Sequence, residues 1–496
     1  MLEFDAPFVG VWNATNRHRT TLQTTKAGAQ IRHDLDATTY FTDISWAGSA
    51  WVSGPLPFTH RYILEQSSNS STLEFAATFS PDGAKNGTHS SFASAYYSSS
   101  TWWSQYWERG AFVDLTGTQG AGATKAIELQ RRIILSQYLL AVNGAGQDVT
   151  QESGLTNNGW YGKFHMEMIH WHLAHWQRWG KWDLIERSVP GIYERFLPTS
   201  LERARNQGYK GARWGKMSDP TGRSAPGEIN SLLVWQQPHP FMFAETEYQE
   251  FPTQKTLQKW DKILVETANF MVSYVFWNET HKVYDLGPPM YPVSENTNPN
   301  ATRNPTFELA YWRFGLDVAA QWQQRLGRTV PTNWTHVAQN LAPLPVQNGT
   351  YVIYDSILKM WQTPAYTEDH PSMLGIYGWL PPPPSFNLTI MQNTVKQVYE
   401  KWNLPYSFGW DFPLLAMNAA RMGDPTKAVE FLLHPSFEFD DAGYPVGGTR
   451  VPTPYFPGSS SLLLAVAMIA GGWPGMEGQQ FPEGWEVIAD GFSPAL

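Results

Sequence analysis

From about residue 121 the apolar positions recur at helical spacing. Between 123 and 143, Ile127, Leu129, Ile133, Ile134, Leu135, Leu139, Leu140 and Val142 fall repeatedly three or four apart, the stripe of an amphipathic helix. Similar stripes predict helices near 164–179, 183–206, 228–249, 254–277, 305–326, 390–402, 411–422, 425–433 and 459–470. Loops rich in Gly, Pro and Asn separate them, and Trp179-Gly180 reads as a helix stop. Leu462–Ala470 is apolar all round, which predicts a buried helix; it has half the ~18 residues a membrane span needs. Residues 1–120 are patterned differently. Aromatic and β-branched runs such as Thr38–Thr42 and His60–Leu64 alternate with breakers at Ser67–Ser71 and Pro81–Gly87, which predicts strands and turns. Two domains are therefore expected, a β-rich region over 1–120 that reads as an incomplete sandwich and a mainly α domain over 121–496. No short repeat points to a solenoid. Helical hairpins closed into an (α/α)6 barrel fit, with a pocket formed by the loops at one end.

Composition narrows the function. Hydrophobic residues make up 42% and charged residues 16%, a globular balance. A net charge of −9 and the lack of any basic run argue against nucleic acid, and no segment suits a membrane. The chain holds 24 Trp, 22 Tyr and 26 Phe, many beside polar residues as in Thr101–Trp107. Such rings fill cores, and they also stack on the C–H faces of sugars, so carbohydrate is the expected partner. Asn-x-Ser/Thr acceptors stand at Asn13, Asn69, Asn86, Asn278, Asn300, Asn333, Asn348 and Asn387, which predicts surface loops of a secreted glycoprotein. No leader is legible at Met1-Leu2-Glu3-Phe4, so residues upstream are expected. The absence of cysteine decides nothing in a core this large.

The long irregular segments are where chemistry is expected. Glu295 lies in one, behind Gly287-Pro288-Pro289, where an apolar loop would raise its pKa as a general acid requires; a solvated loop Glu is the alternative. Asp411 follows Pro405–Trp410 and opens a helix, so it is either an N-cap or a second catalytic carboxyl. Glu438, Asp440 and Asp441 are further choices. Asn158–His172 is dense in polar and aromatic groups, with His165 and His172 seven apart and expected on one helical face. No HExxH pattern and no cysteine occur, so neither a metal nor a cofactor is expected. Tyr209–Met217 is basic and aromatic, and Trp235–Pro240 crowds amides and an imidazole, natural partners of neutral hydroxyls.

Taken in order, these segments resemble the catalytic barrel of the maltose and kojibiose phosphorylase, kojibiose hydrolase and acid trehalase family, over about residues 120–475. Gly159–Glu167 resembles its Gly-Tyr-x-Gly-His-x-Phe-Trp-Asp-Thr-Glu segment, and Tyr209–Trp214 its Tyr-x-Gly-Ala-x-Phe-Pro-Trp segment. The family's acid lies in Gly-Pro-Asp-Glu-Tyr-His ahead of an Asn-rich stretch and a helix ending in Ala-x-Trp. Here Glu295, then Asn296, Asn298, Asn300 and Asn304, then Ala310-Tyr311-Trp312 reproduce that order, although Pro292-Val293-Ser294 replaces Gly-Pro-Asp. His165-Met166-Glu167 replaces the family's sugar-binding Trp-Asp. Its phosphate-binding His-x-Ser-Ser resembles Pro457–Ser461 without the His, which favours hydrolysis over phosphorolysis.

The resemblance implies a β-sandwich joined to an (α/α)6 barrel and inverting action on an α-glycoside. It implies Glu295 as the general acid; Asp411 is assigned as base from local context. Trp160, Lys163, His165, Glu167, Arg213, Lys216, Gln236, Gln237 and His239 are expected to hold the sugar. A phosphorylase, a helical-toroid lyase using Tyr209, His165 or Arg213, and a non-catalytic glycan-binding protein stay open as alternatives.

Overall fold

The computed structural model describes residues 2–3, 15–25, 28–35, 38–67, 71–83, 90–148, 151–157, 159, 163–446, 451 and 453–496. Trp160 and the acceptors Asn13, Asn69 and Asn86 lie outside them. The chain divides into two compact units, Met1–Arg109 and Gly110–Leu496.

In the first unit, β2 (Arg19–Thr24), β3 (Gly28–Leu35), β4 (Thr38–Trp46) and β7 (Phe75–Ser80) form an antiparallel sheet in the order β2-β3-β4-β7. A second sheet runs β1 (Leu2–Glu3), β6 (Arg61–Gln66), β5 (Ala50–Ser53). Period-two alternation in β3 turns Ala29, Ile31 and His33 inward and leaves Arg32 exposed. Ala29, Ile31 and Ile44 of the first sheet share a core with Val52 and Tyr62 of the second.

One segment expected among strands and turns is a helix, α1 (Phe92–Glu108). Ser91 caps it by accepting the Ser94 N–H at 3.1 Å. Aromatic rings four apart then stack along it, Trp102 on Tyr106 and Trp103 on Trp107. The rings that suggested a flat sugar platform thus pair with one another at helical spacing.

The second unit is helical: α2 (Ala123–Gly144), α3 (Ile169–Leu173), α4 (His175–Arg178), α5 (Trp182–Asn206), α6 (Glu228–Leu232), α7 (His239–Glu250), α8 (Gln254–Tyr274), α9 (Thr306–Arg325), α10 (Thr332–Gln339), α11 (Leu388–Lys401), α12 (Asp411–Arg421), α13 (Pro425–Leu432) and α14 (Phe456–Gly471). Every residue of α14 is buried, as its apolar circumference requires, and it packs against α2, α3, α4 and α12. Thr253, Asn387 and Asp424 cap α8, α11 and α13 through their side chains. No helix among the described residues is long and apolar enough to cross a membrane.

Two departures from the expected helices shape the site. Phe164–His165 is not helical but a short strand, β9, paired antiparallel with β10 (Met217–Ser218), so His165 stands opposite Met217. His165 and His172 therefore do not share a helical face, since α3 starts only at Ile169. The segment 228–249 is broken between α6 and α7, where Gln236 and Gln237 bond to the Trp214 backbone. Of the described acceptors, Asn300, Asn333, Asn348 and Asn387 are exposed. Asn278 is half-buried, and its amide donates to Asp285 at 2.7 Å, which leaves that nitrogen engaged.

Candidate active site

A cavity of about 290 Å³ opens in the second unit, at the small end of ligand pockets. Its lining joins four carboxyl groups, Glu152, Glu167, Glu295 and Asp369, with His165, Lys216 and His370 and the rings of Trp235, Phe408, Trp410 and Tyr455. Four expected site residues, His165, Glu167, Lys216 and Glu295, meet here although up to 130 positions separate them (295 − 165).

The pairing of β9 with β10 is what joins them. The Met166 N–H donates to the Lys216 carbonyl at 2.8 Å, which sets Glu167 beside Lys216. Lys216 Nζ lies 3.2 Å from Glu167 Oε1 and also donates to Glu295 Oε1. His165 Nδ1 lies 2.6 Å from Glu152 Oε1 and 4.0 Å from Glu167 Oε1. One run of ionisable groups, Glu152–His165–Glu167–Lys216–Glu295, thus forms part of the wall.

Burial decides how this run is charged. It pushes the Glu167 carboxyl up to about 7, with the Glu295 charge adding to the rise and Lys216 opposing it. Burial works against the Lys216 ammonium, but Glu167 and Glu295 outweigh it and keep its pKa above the usual lysine range. Glu167 is therefore partly protonated near neutrality beside the Lys216 ammonium.

A second cluster surrounds His370. Its Nδ1 lies 2.7 Å from Asp411 Oδ1, and its Nε2 lies 3.4 Å from Asp369 Oδ1. Asp411 Oδ2 accepts the Phe408 N–H at 2.8 Å. Sequence reasoning expected Asp411 as the base; the structure places it 0% exposed, outside the cavity lining and behind His370. Burial works against the His370 charge, but Asp411 and Asp369, with Glu295 beyond, overcome it and raise the pKa to about 9.

The sign of that shift gives a prediction. A histidine raised from 6.5 to about 9 stabilises the fold fully below pH 6.5, and the contribution is lost as pH rises through 9. The difference in urea-unfolding free energy between wild type and H370Q should therefore shrink between pH 6 and pH 9.5. A difference that stays constant would contradict it.

The remaining expected sugar contacts are scaffold. Arg213 Nη1 donates to Gln207 Oε1 at 2.7 Å and its other arm to the Ser231 carbonyl. Gln236 and Gln237 donate to the Trp214 carbonyl at 3.0 and 2.8 Å. His239 Nε2 donates to the Glu167 carbonyl at 2.7 Å, while Nδ1 accepts from Tyr311 at 2.9 Å. Burial lowers its pKa to about 3, so this imidazole is neutral and holds the Glu167 backbone. None of these four lines the cavity, nor does Lys163. Sequence reasoning missed Glu152, Asp369, His370 and Tyr455; only their place in long loops between helices could have marked them.

Tyr455, Trp235 and Trp410 are 3%, 2% and 3% exposed and line the cavity. None of their hydroxyl or indole groups donates to another described residue. Buried donors are normally paired, so these three suit a ligand's oxygens. The site thus offers neutral donors, carboxylate acceptors and ring faces together.

Comparison of the structure with solved ones finds a similar fold in carbohydrate-active proteins. A candidate kojibiose phosphorylase from the human microbiome superposes with a TM-score of 0.64 at 11% identity, over 92% of this chain. This chain spans 66% of that one. Two point variants of a glycosidase superpose with TM-scores of 0.53 and 0.52 at 14% and 15% identity, each over 68% of this chain and 97% of its own. At these identities what is shared is the fold. No protein-family model matches the sequence, and no curated protein matches it.

Proposed function

We propose that the protein is a glycoside hydrolase that cleaves an α-linked glycoside with inversion, with Glu295 as general acid, and that the helices of Gly110–Leu496 close as an (α/α)6 barrel. The observation that carries this reading is the cavity itself: carboxyl groups on two separate clusters, neutral donors and aromatic faces, on a fold shared with glycosidases. Glu295, with its side chain 28% exposed, is the more open of the two carboxyls on Lys216 and so reaches a leaving oxygen. His165, Glu167 and Lys216 hold the sugar from one wall, and Trp235, Trp410 and Tyr455 contact it from others.

Hydrolysis is favoured over phosphorolysis by the fate of the serine segment. Ser460 Oγ bonds His175 Nδ1 at 2.8 Å and Ser461 Oγ donates to the Gly458 carbonyl, both inside the core and away from the cavity. The lyase reading loses Tyr209 and Arg213, which do not line the cavity either. The exposed acceptors Asn300, Asn333, Asn348 and Asn387 support passage through a secretory pathway.

Incubation with a panel of α- and β-linked oligosaccharides, followed by NMR of the product before mutarotation, tests this. An α-linked substrate releasing the β-anomer is expected. Release of the α-anomer, a sugar phosphate made only with added phosphate, or an unsaturated product would each displace the reading.

A further inference from the structure

Glu167 and Glu295 bond to one ammonium, so they stand together and do not supply an acid and a base on opposite faces of a sugar ring, as inversion demands. Glu152 belongs to the same run through His165. Among the described residues, Asp369 is the cavity-lining carboxyl outside that run. Its Oδ1 accepts the His370 backbone N–H at 2.9 Å and stands 3.4 Å from the His370 ring. The Trp402 indole donates to the Asp369 carbonyl at 2.7 Å, which pins the loop. Behind it, Asp411 holds His370 by Nδ1, while the Phe408 and Trp410 rings lie 4.5 and 4.4 Å from the imidazole and fix its plane.

We propose that Asp369 is the catalytic base of this site, and that His370 and Asp411 are positioning residues that aim it. The proposal rests on the hydrolase reading above. In the step, Asp369 takes a proton from water as the water oxygen bonds to the anomeric carbon. The bond from that carbon to the leaving oxygen breaks with its electron pair, and that oxygen receives the proton of Glu295. Water is consumed and nothing is oxidised. His370 faces Asp411, Asp369 and Glu295, and with a pKa of about 9 it is charged at neutral pH. It is therefore a positive charge beside Asp369 rather than the base itself, unlike the neutral histidine of an Asp-His pair that deprotonates a nucleophile.

The test uses 4-nitrophenyl α- and β-glycosides of neutral hexoses and the full chain. D369N should lose about 10²–10⁴-fold in kcat on the glycoside that wild type cleaves best. Sodium azide should restore its turnover and yield the glycosyl azide of inverted configuration. H370Q should move the acidic limb of the kcat/KM–pH profile upward, as loss of a cation beside the base requires; a merely structural role would lower the profile without moving that limb. D411N should move the limb the same way. Near-wild-type turnover by folded D369N, with wild type active, overturns this assignment alone. An unmoved limb in folded H370Q removes the positioning role. Inactivity of wild type on every glycoside overturns the hydrolase reading, and this assignment with it.

Discussion

E295Q is expected to lower kcat about 10²–10⁴-fold on an oligosaccharide, and far less on an aryl glycoside whose leaving group needs no proton. Measuring both substrates separates lost acid catalysis from lost folding, which would depress them equally. The rival is Glu167, which is deeper, 6% exposed, and pushed up to about 7. The two carboxyls share Lys216 as a partner. E167Q should therefore move the alkaline limb of kcat/KM to lower pH, as a neutral amide no longer competes for Lys216. If E167Q shows the leaving-group dependence and E295Q does not, the roles are exchanged.

How legible was this in the sequence? Helices declared themselves wherever one face was apolar over several turns, as in α2, α8 and α14. Short-range signals were weaker where tertiary pairing decided the outcome. Phe164–His165 sits in a stretch of helical spacing but is drawn into a strand by Met217–Ser218, 52 positions on (217 − 165). The aromatic run of α1 has helical spacing too, yet its strand-like composition concealed it.

The site was half legible for a similar reason. Glu295 and Glu167 stood in segments whose order resembled a known barrel. Asp369 and His370 have no such motif, and Asp411 looked like an ordinary helix start. What separates them is depth: Asp411 is fully buried, while Asp369 and His370 line the cavity. Depth comes from packing between α12 and the loop before α11, which periodicity does not encode. Gln236, Gln237, Arg213 and His239 show the converse. Their polar side chains suit sugar hydroxyls, but each donates to a backbone or side-chain partner and none lines the cavity.

K216M should be the most damaging substitution for stability. Lys216 is 5% exposed and is the cation to which both Glu167 and Glu295 bond. Removing one partner of a buried ionic group costs about 3–5 kcal/mol, because the remaining charge stays desolvated. The loss should depend on pH in a definite direction. Without the ammonium, buried Glu167 holds its proton more tightly in the fold than in the unfolded chain, so native stability is retained below its unfolded pKa and lost as pH rises. Urea unfolding should therefore show the full deficit at pH 8 and a much smaller one at pH 5. Adding E167Q to K216M should recover part of the deficit at pH 8, since only the more exposed Glu295 carboxylate then remains. An equal deficit at both pH values would mean that Lys216 contributes through the packing of its alkyl chain alone.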